Sequence, residues 1–219
     1  MVNRMKLMAA LRETGVVAVI RTENPEDLVS VAKALQEGGV KFIEITMTVP
    51  GAIEIIRDAT LRLKGEEVYI GAGTVLDAET ACLAILAGSS YVVGPAYDQG
   101  MIDTCRAYGV PVMPGAMTPT EILTAWRGGA DVVKVFPAQN VGGADFLKAI
   151  KEPLPQVELM PTKGVDFETA AGFIKAGAIA VGTGTAIVSR ALIAAKSYAK
   201  ITENARKICA IVREARAAT

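Results

Sequence analysis

The chain's 219 residues are 51% apolar and 21% charged, ample for a sizeable buried core and far from a disordered composition. Basic and acidic side chains balance at 23 each, and Gly, Pro or charge interrupts every apolar segment before the ~18 residues of a membrane helix, so neither nucleic acid nor a membrane is expected as a partner. Histidine is absent, which excludes Ser-His-Asp and Cys-His nucleophile pairs and His-ligated metals and leaves Asp, Glu, Lys, Tyr, Cys or water for acid–base work.

Residues 2–14 predict an amphipathic helix of mixed charge, unlike a secretory signal. A first strand follows at 16–20, and Asn24-Pro25-Glu26-Asp27 opens a helix with a cap and an early proline. From there a pattern recurs in which a helix-like stretch ends at glycine and a short apolar run follows. It predicts strands at 41–45, 68–70, 91–93, 111–113, 132–136, 157–160 and 179–181. Asp77-Ala78-Glu79-Thr80 and Thr118-Pro119-Thr120-Glu121 cap helices between them. The alanine-rich stretch 186–199 reads as helical, and 198–217 as a long terminal helix with Ile201, Ala205, Ile208 and Ile211 on one face.

The runs are continuously apolar, as in strands buried on both faces of a parallel sheet. Eight strand–helix units, spaced roughly 20–26 residues apart with no linker, favour a single (β/α)8 TIM barrel with an N-terminal helix, spanning 1–219 as one domain. Cys82, Cys105 and Cys209 are far apart and form no CxxC, which argues against disulfides and zinc and fits a reducing cytoplasm.

In such a barrel the active site lies at the C-terminal ends of the strands. One residue stands out there. Lys134 sits inside Val132-Val133-Lys134-Val135-Phe136, and lysine is seldom buried without a function or partner. Either it snorkels from an edge strand, or it is a desolvated amine able to attack a carbonyl and form a Schiff base. Glu44, in Phe42-Ile43-Glu44-Ile45-Thr46, is a second charge in a buried-strand pattern. It reads as a structural partner of Lys134 or Arg21, or as the acid–base group that Schiff-base chemistry needs. Turns after the last two strands, Lys163-Gly164 and Gly182-Thr183-Gly184-Thr185, offer backbone N–H groups to a phosphate, with Arg21 adding charge; plain loop geometry is the other reading.

Taken together, Glu44-Ile45-Thr46, Gly71-Ala72-Gly73-Thr74-Val75, Pro114-Gly115, Val133-Lys134-Val135-Phe136-Pro137-Ala138, Pro161-Thr162 and Gly182 to Thr185 resemble the 2-keto-3-deoxy-6-phosphogluconate (KDPG) aldolase / 4-hydroxy-2-oxoglutarate aldolase family over nearly the whole chain. The resemblance implies a class I aldolase, a lyase that yields pyruvate and glyceraldehyde 3-phosphate. It implies no metal and no cofactor beyond the covalent Schiff base on lysine, and a cytoplasmic homotrimer whose partners are a small 2-oxo acid and an aldehyde. By the same resemblance Lys134 forms the Schiff base and Glu44 is the acid–base. Thr74, Pro95, Phe136 and Thr162 line the pyruvate pocket, and Arg21, Gly164, Gly184 and Thr185 lie near the phosphate.

The chain departs from that pattern twice. Many members carry arginine where this chain has Thr48, so carboxylate binding here rests on other donors. The family's Pro-Thr-Gly-Gly turn reads Pro161-Thr162-Lys163-Gly164. Lys163 must then adopt whatever backbone glycine used, and three outcomes are open: pairing with a phosphate, blocking the pocket, or placing a second amine near Lys134. Two other functions stay open as well. The chain could be a phosphate-binding barrel isomerase or epimerase, or a barrel subunit kept or engineered for a larger assembly.

Overall fold

The computed structural model describes residues 3–22 and 24–218. The N-terminal helix is Arg4–Thr14, capped by the Asn3 side chain; Val2, placed in that helix from sequence, lies outside the described residues. Its C-terminus stops at Gly15 in the left-handed conformation. The strands are β1 (Val16–Ile20), β2 (Phe42–Thr46), β3 (Tyr69–Gly73), β4 (Val92–Val93), β5 (Val112–Met113), β6 (Gly115–Ala116), β7 (Val133–Val135), β8 (Leu159–Pro161) and β9 (Val181–Thr183). Asn24, Asp77 and Thr118 cap helices as expected, Thr118 through a reciprocal capping box with Glu121.

All strand pairs are parallel, in the orders β5-β4-β3-β2-β1-β9 and β6-β7-β8. The result is an α/β fold with a curled parallel sheet. The strand expected at 111–113 continues as a second piece, because Pro114 lacks the N–H that a ladder requires. Both pieces feed β7: the Asp131 N–H donates to Val112 O (3.0 Å) and the Lys134 N–H to Pro114 O (2.9 Å). At the other side a bridge joins Thr162 to Gly182. Several strands run later than their apolar cores suggest, to Gly73, Pro161 and Thr183.

One helix expectation is corrected. Within 186–199 only Arg190–Ala194 and the first two residues of the C-terminal helix are helical. Lys196 turns left-handed (φ 51°), and the C-terminal helix Tyr198–Ala217 starts afresh. Alanine favours helix, but a left-handed residue ends one.

Side chains alternate across a strand, and the core splits accordingly. Val16, Ala18, Ile20, Ile43, Ile45, Val133, Val135 and Leu159 pack outward beneath the helices. Val17, Phe42, Tyr91, Met113, Val132, Met160 and Ala180 meet on the concave side, covered by Leu7, Met8 and Leu11 of the N-terminal helix. That helix is therefore the floor of the concave space.

Candidate active site

Two residues further along each strand on the concave side lies the next layer. Glu44 follows Phe42, and Lys134 follows Val132. The two are 4% and 1% exposed for Lys134 and Glu44 respectively, with Nζ 3.8 Å from Oε1. β7 pairs with β6 on one side and β8 on the other, so Lys134 is not an edge-strand lysine snorkelling to solvent. Neither carboxylate oxygen of Glu44 has a hydrogen-bond partner among the described residues. Buried polar atoms are almost always satisfied, and an orphan costs about 1–3 kcal/mol. A charge pair held just beyond hydrogen-bond reach keeps both groups free for a third. The Phe136 ring, two residues above Lys134, lies 5.2 Å from Nζ at its centroid, within cation–π range.

Two glycines of β3 make room for this layer. A Cβ on Gly71 would enter the Tyr91 ring, and one on Gly73 would enter the Glu44 side chain. Burial and the charge of Glu44 both hold the Tyr91 phenol well above its usual pKa. Gly73→Ala is expected to lower Tm by several degrees, since overpacking costs roughly 1–3 kcal/mol and a domain of this size loses ~2–4 °C per kcal/mol. Combining it with Glu44→Ala should recover most of the loss in a double-mutant cycle followed by thermal unfolding. Additive losses would show that Gly73 does not act through Glu44.

The strand ends above open into a cleft of about 520 Å³. Seven expected residues line it together: Arg21, Phe136, Thr162, Lys163, Gly164, Gly184 and Thr185. Thr183, named in the sequence as part of the turn after the last strand, also lines it, and donates its hydroxyl to Val165 O (2.8 Å), tying the loop after β8 to β9. Asp166, missed in the sequence, lines the same cleft. Its signal was its position in the loop directly after Lys163-Gly164. Lys134 and Glu44 are not themselves among the cleft's lining; Phe136, which is, makes the cation–π contact with Lys134.

Thr74 and Pro95, expected to line the pyruvate pocket, are not among the residues that line this cleft. Thr74, just past Gly73, holds a left-handed backbone (φ 57°), strained for a β-branched residue. Pro95 follows β4, with its carbonyl against the Cα of Gly115. Thr48 is not part of the main cleft. Its hydroxyl pairs with that of buried Thr46 at 2.8 Å, and it lines an adjoining recess of about 320 Å³ shared with Arg21 and Arg190. Arg190, unremarked in the sequence, carries no motif that would single it out.

Residues 7–204 match the family model described as "Aldolase: KDPG and KHG aldolase". The chain belongs to that family. A 2-dehydro-3-deoxy-phosphogluconate aldolase of Treponema pallidum is 34% identical over 94% of this chain and 97% of its own. Among solved structures, the KDPG aldolase of Legionella pneumophila, captured with pyruvate as a covalent carbinolamine, superposes with a TM-score of 0.83 at 27% identity. It covers 92% of this chain and 97% of its own. A chain of a cube-shaped, porous cage designed by fusing symmetric oligomeric domains superposes with a TM-score of 0.85 at 28% identity, over 94% of this chain and 74% of its own. KDPG/KHG aldolases are carbon–carbon lyases, and the buried lysine–carboxylate pair lies in the part of this chain that the family model spans.

Proposed function

We propose that this protein is a class I aldolase that cleaves 2-keto-3-deoxy-6-phosphogluconate, or a similar 4-hydroxy-2-oxo acid, to pyruvate and an aldehyde. The phosphorylated substrate yields glyceraldehyde 3-phosphate. The observation that carries the reading is the buried Lys134–Glu44 pair at 3.8 Å beneath a cleft whose rim bears Arg21 and the Gly164 and Gly184 turns.

The chemistry follows from the placement. The Lys134 amine attacks the C2 carbonyl of the substrate, giving a carbinolamine that loses water to a protonated Schiff base. Glu44 takes the proton of the C4 hydroxyl. The C3–C4 bond then breaks, its electron pair passing into the iminium to form an enamine while the aldehyde leaves. Glu44 returns a proton to C3, and water hydrolyses the Schiff base to free pyruvate and Lys134. The lysine itself supplies the electron sink, so no external cofactor is required. Thr74, Pro95, Phe136 and Thr162 surround the pyruvate end, and Arg21, Gly164, Gly184 and Thr185 receive the phosphate. With threonine at position 48, the Thr74 and Thr162 hydroxyls and neighbouring backbone N–H groups hold the pyruvate carboxylate.

We further read residues 1–219 as one closed (β/α)8 barrel domain. The hydrogen bonds linking β5 and β6 to β7, and the bridge from Thr162 to Gly182, support closure. A homotrimer is supported by apolar side chains left exposed on one helix, Leu83 and Leu86, with exposed Tyr108 beside Cys82. Three free cysteines suit a reducing cytoplasm, and no helix among the described residues is long and apolar enough to cross a membrane.

Borohydride reduction in the presence of pyruvate tests the central claim. A stable adduct is expected on the peptide carrying Lys134, read by peptide mass. Protein that takes up no pyruvate at Lys134 would rule the mechanism out.

A further inference from the structure

Among the described residues three that are not glycine hold a left-handed backbone: Thr74, Lys163 and Lys196. Lys163 has φ 78°, and Gly164 beside it has the same value, so two successive residues occupy a region that strains any Cβ. The turn is clamped from outside. The Gln139 N–H donates to Lys163 O (3.2 Å), and the Thr169 hydroxyl donates to Gly164 O (2.8 Å). The fold therefore imposes glycine-like backbone and places a lysine on it.

That lysine stands exposed in the wall of the 520 Å³ cleft. It does not stopper the cleft, which stays open with the side chain present. It also differs in setting from Lys134, which is buried. No carboxylate among the described residues pairs with Lys163 or with Arg21. The carboxylate that shares the cleft, Asp166, accepts the Glu168 and Thr169 N–H groups (2.9 Å each) on one oxygen, Oδ1, and forms an ion pair with neither cation. Two cations, one past β1 and one past β8, thus line a single cavity with one carboxylate, Asp166, among its described lining residues.

We infer that Lys163 is a specificity-determining residue. Its ammonium, together with Arg21, selects 2-oxo acids whose tail is a phosphate dianion over those ending in a single carboxylate. This rests on the aldolase reading above. The attraction scales with the charge on the tail, so a second negative charge is what a second cation rewards. A lysine acts here as a point charge, which tolerates a mobile phosphate.

The test compares kcat/KM on 2-keto-3-deoxy-6-phosphogluconate and on 4-hydroxy-2-oxoglutarate. Lys163→Gln keeps the backbone demand and removes the charge. It is expected to lower kcat/KM on the phosphorylated substrate about tenfold, chiefly through KM, and on the dicarboxylate less than about threefold. Lys163→Arg should retain the preference. Lys163→Gly should lose it as glutamine does while raising Tm by about 2–4 °C, because the strain is relieved. Loss of specificity together with a gain in stability is a pairing that a merely structural lysine would not produce. An unchanged ratio between the two substrates in Lys163→Gln, in protein that traps pyruvate on Lys134, overturns this inference alone. Pyruvate trapped on Lys163 overturns it as well. Wild-type protein that traps no pyruvate overturns the aldolase reading and this inference with it.

Discussion

Lys134→Met is expected to reduce kcat/KM by at least about 10⁴-fold, the scale on which removal of a covalent nucleophile acts. Methionine keeps an unbranched chain of similar length in the concave layer and leaves little cavity. The fold should survive the change. At 3.8 Å and an effective dielectric near 20, the lysine–glutamate attraction is about 4 kcal/mol. Removing the ammonium leaves Glu44 buried without its counter-charge, a change that costs about 3–5 kcal/mol when one partner of a buried pair is lost. Far-ultraviolet circular dichroism should therefore stay close to wild type and the unfolding midpoint should fall, while pyruvate release collapses. Turnover within tenfold of wild type would mean that the reaction does not pass through this amine. An adduct appearing on Lys163 in the variant would mean that the chemistry can move.

Glu44→Gln is expected to slow turnover by about 10²–10⁴-fold, the usual reach of general acid–base catalysis. The shape of the carboxylate is kept and its ability to take a proton is lost. One half-reaction isolates the effect. Pyruvate bound as a Schiff base exchanges its methyl protons with solvent through the enamine, and in deuterium oxide that exchange is visible by proton NMR. It should fall in parallel with turnover in Glu44→Gln, while borohydride still traps pyruvate on Lys134 after long incubation. Exchange at the wild-type rate would remove Glu44 from the proton-transfer steps.

Much of this was legible in the chain because charge inside an apolar run is conspicuous. Lys134 and Glu44 each interrupt a strand that is otherwise buried, and their strands were located from the same runs. What those runs could not convey was the division of each strand between two faces, since both faces are apolar. Only the curled sheet separates Val132 and Phe42, beneath the pair, from Val133 and Ile43, against the helices. Gly73 was visible as a glycine and invisible as a cause, for its contribution is the side chain it lacks. Strand ends ran past their apolar cores because Gly73, Pro161 and Thr183 stay within the ladder. The break at Lys196 escaped notice because a lysine can take a left-handed turn without any local sequence signal. For Lys163 the backbone demand was foreseeable from the family turn, which has glycine in its place, whereas the company of Arg21 in the same cleft required the fold.

The N-terminal helix gives the concave space a floor of Leu7, Met8 and Leu11. A vessel closed at one end has single-file traffic. Whatever enters tail-outward, with its 2-oxo group at Lys134, must shed its outer fragment before the inner one can pass. The aldehyde therefore departs first and pyruvate last. In the reverse direction pyruvate has to be seated before an aldehyde can usefully arrive.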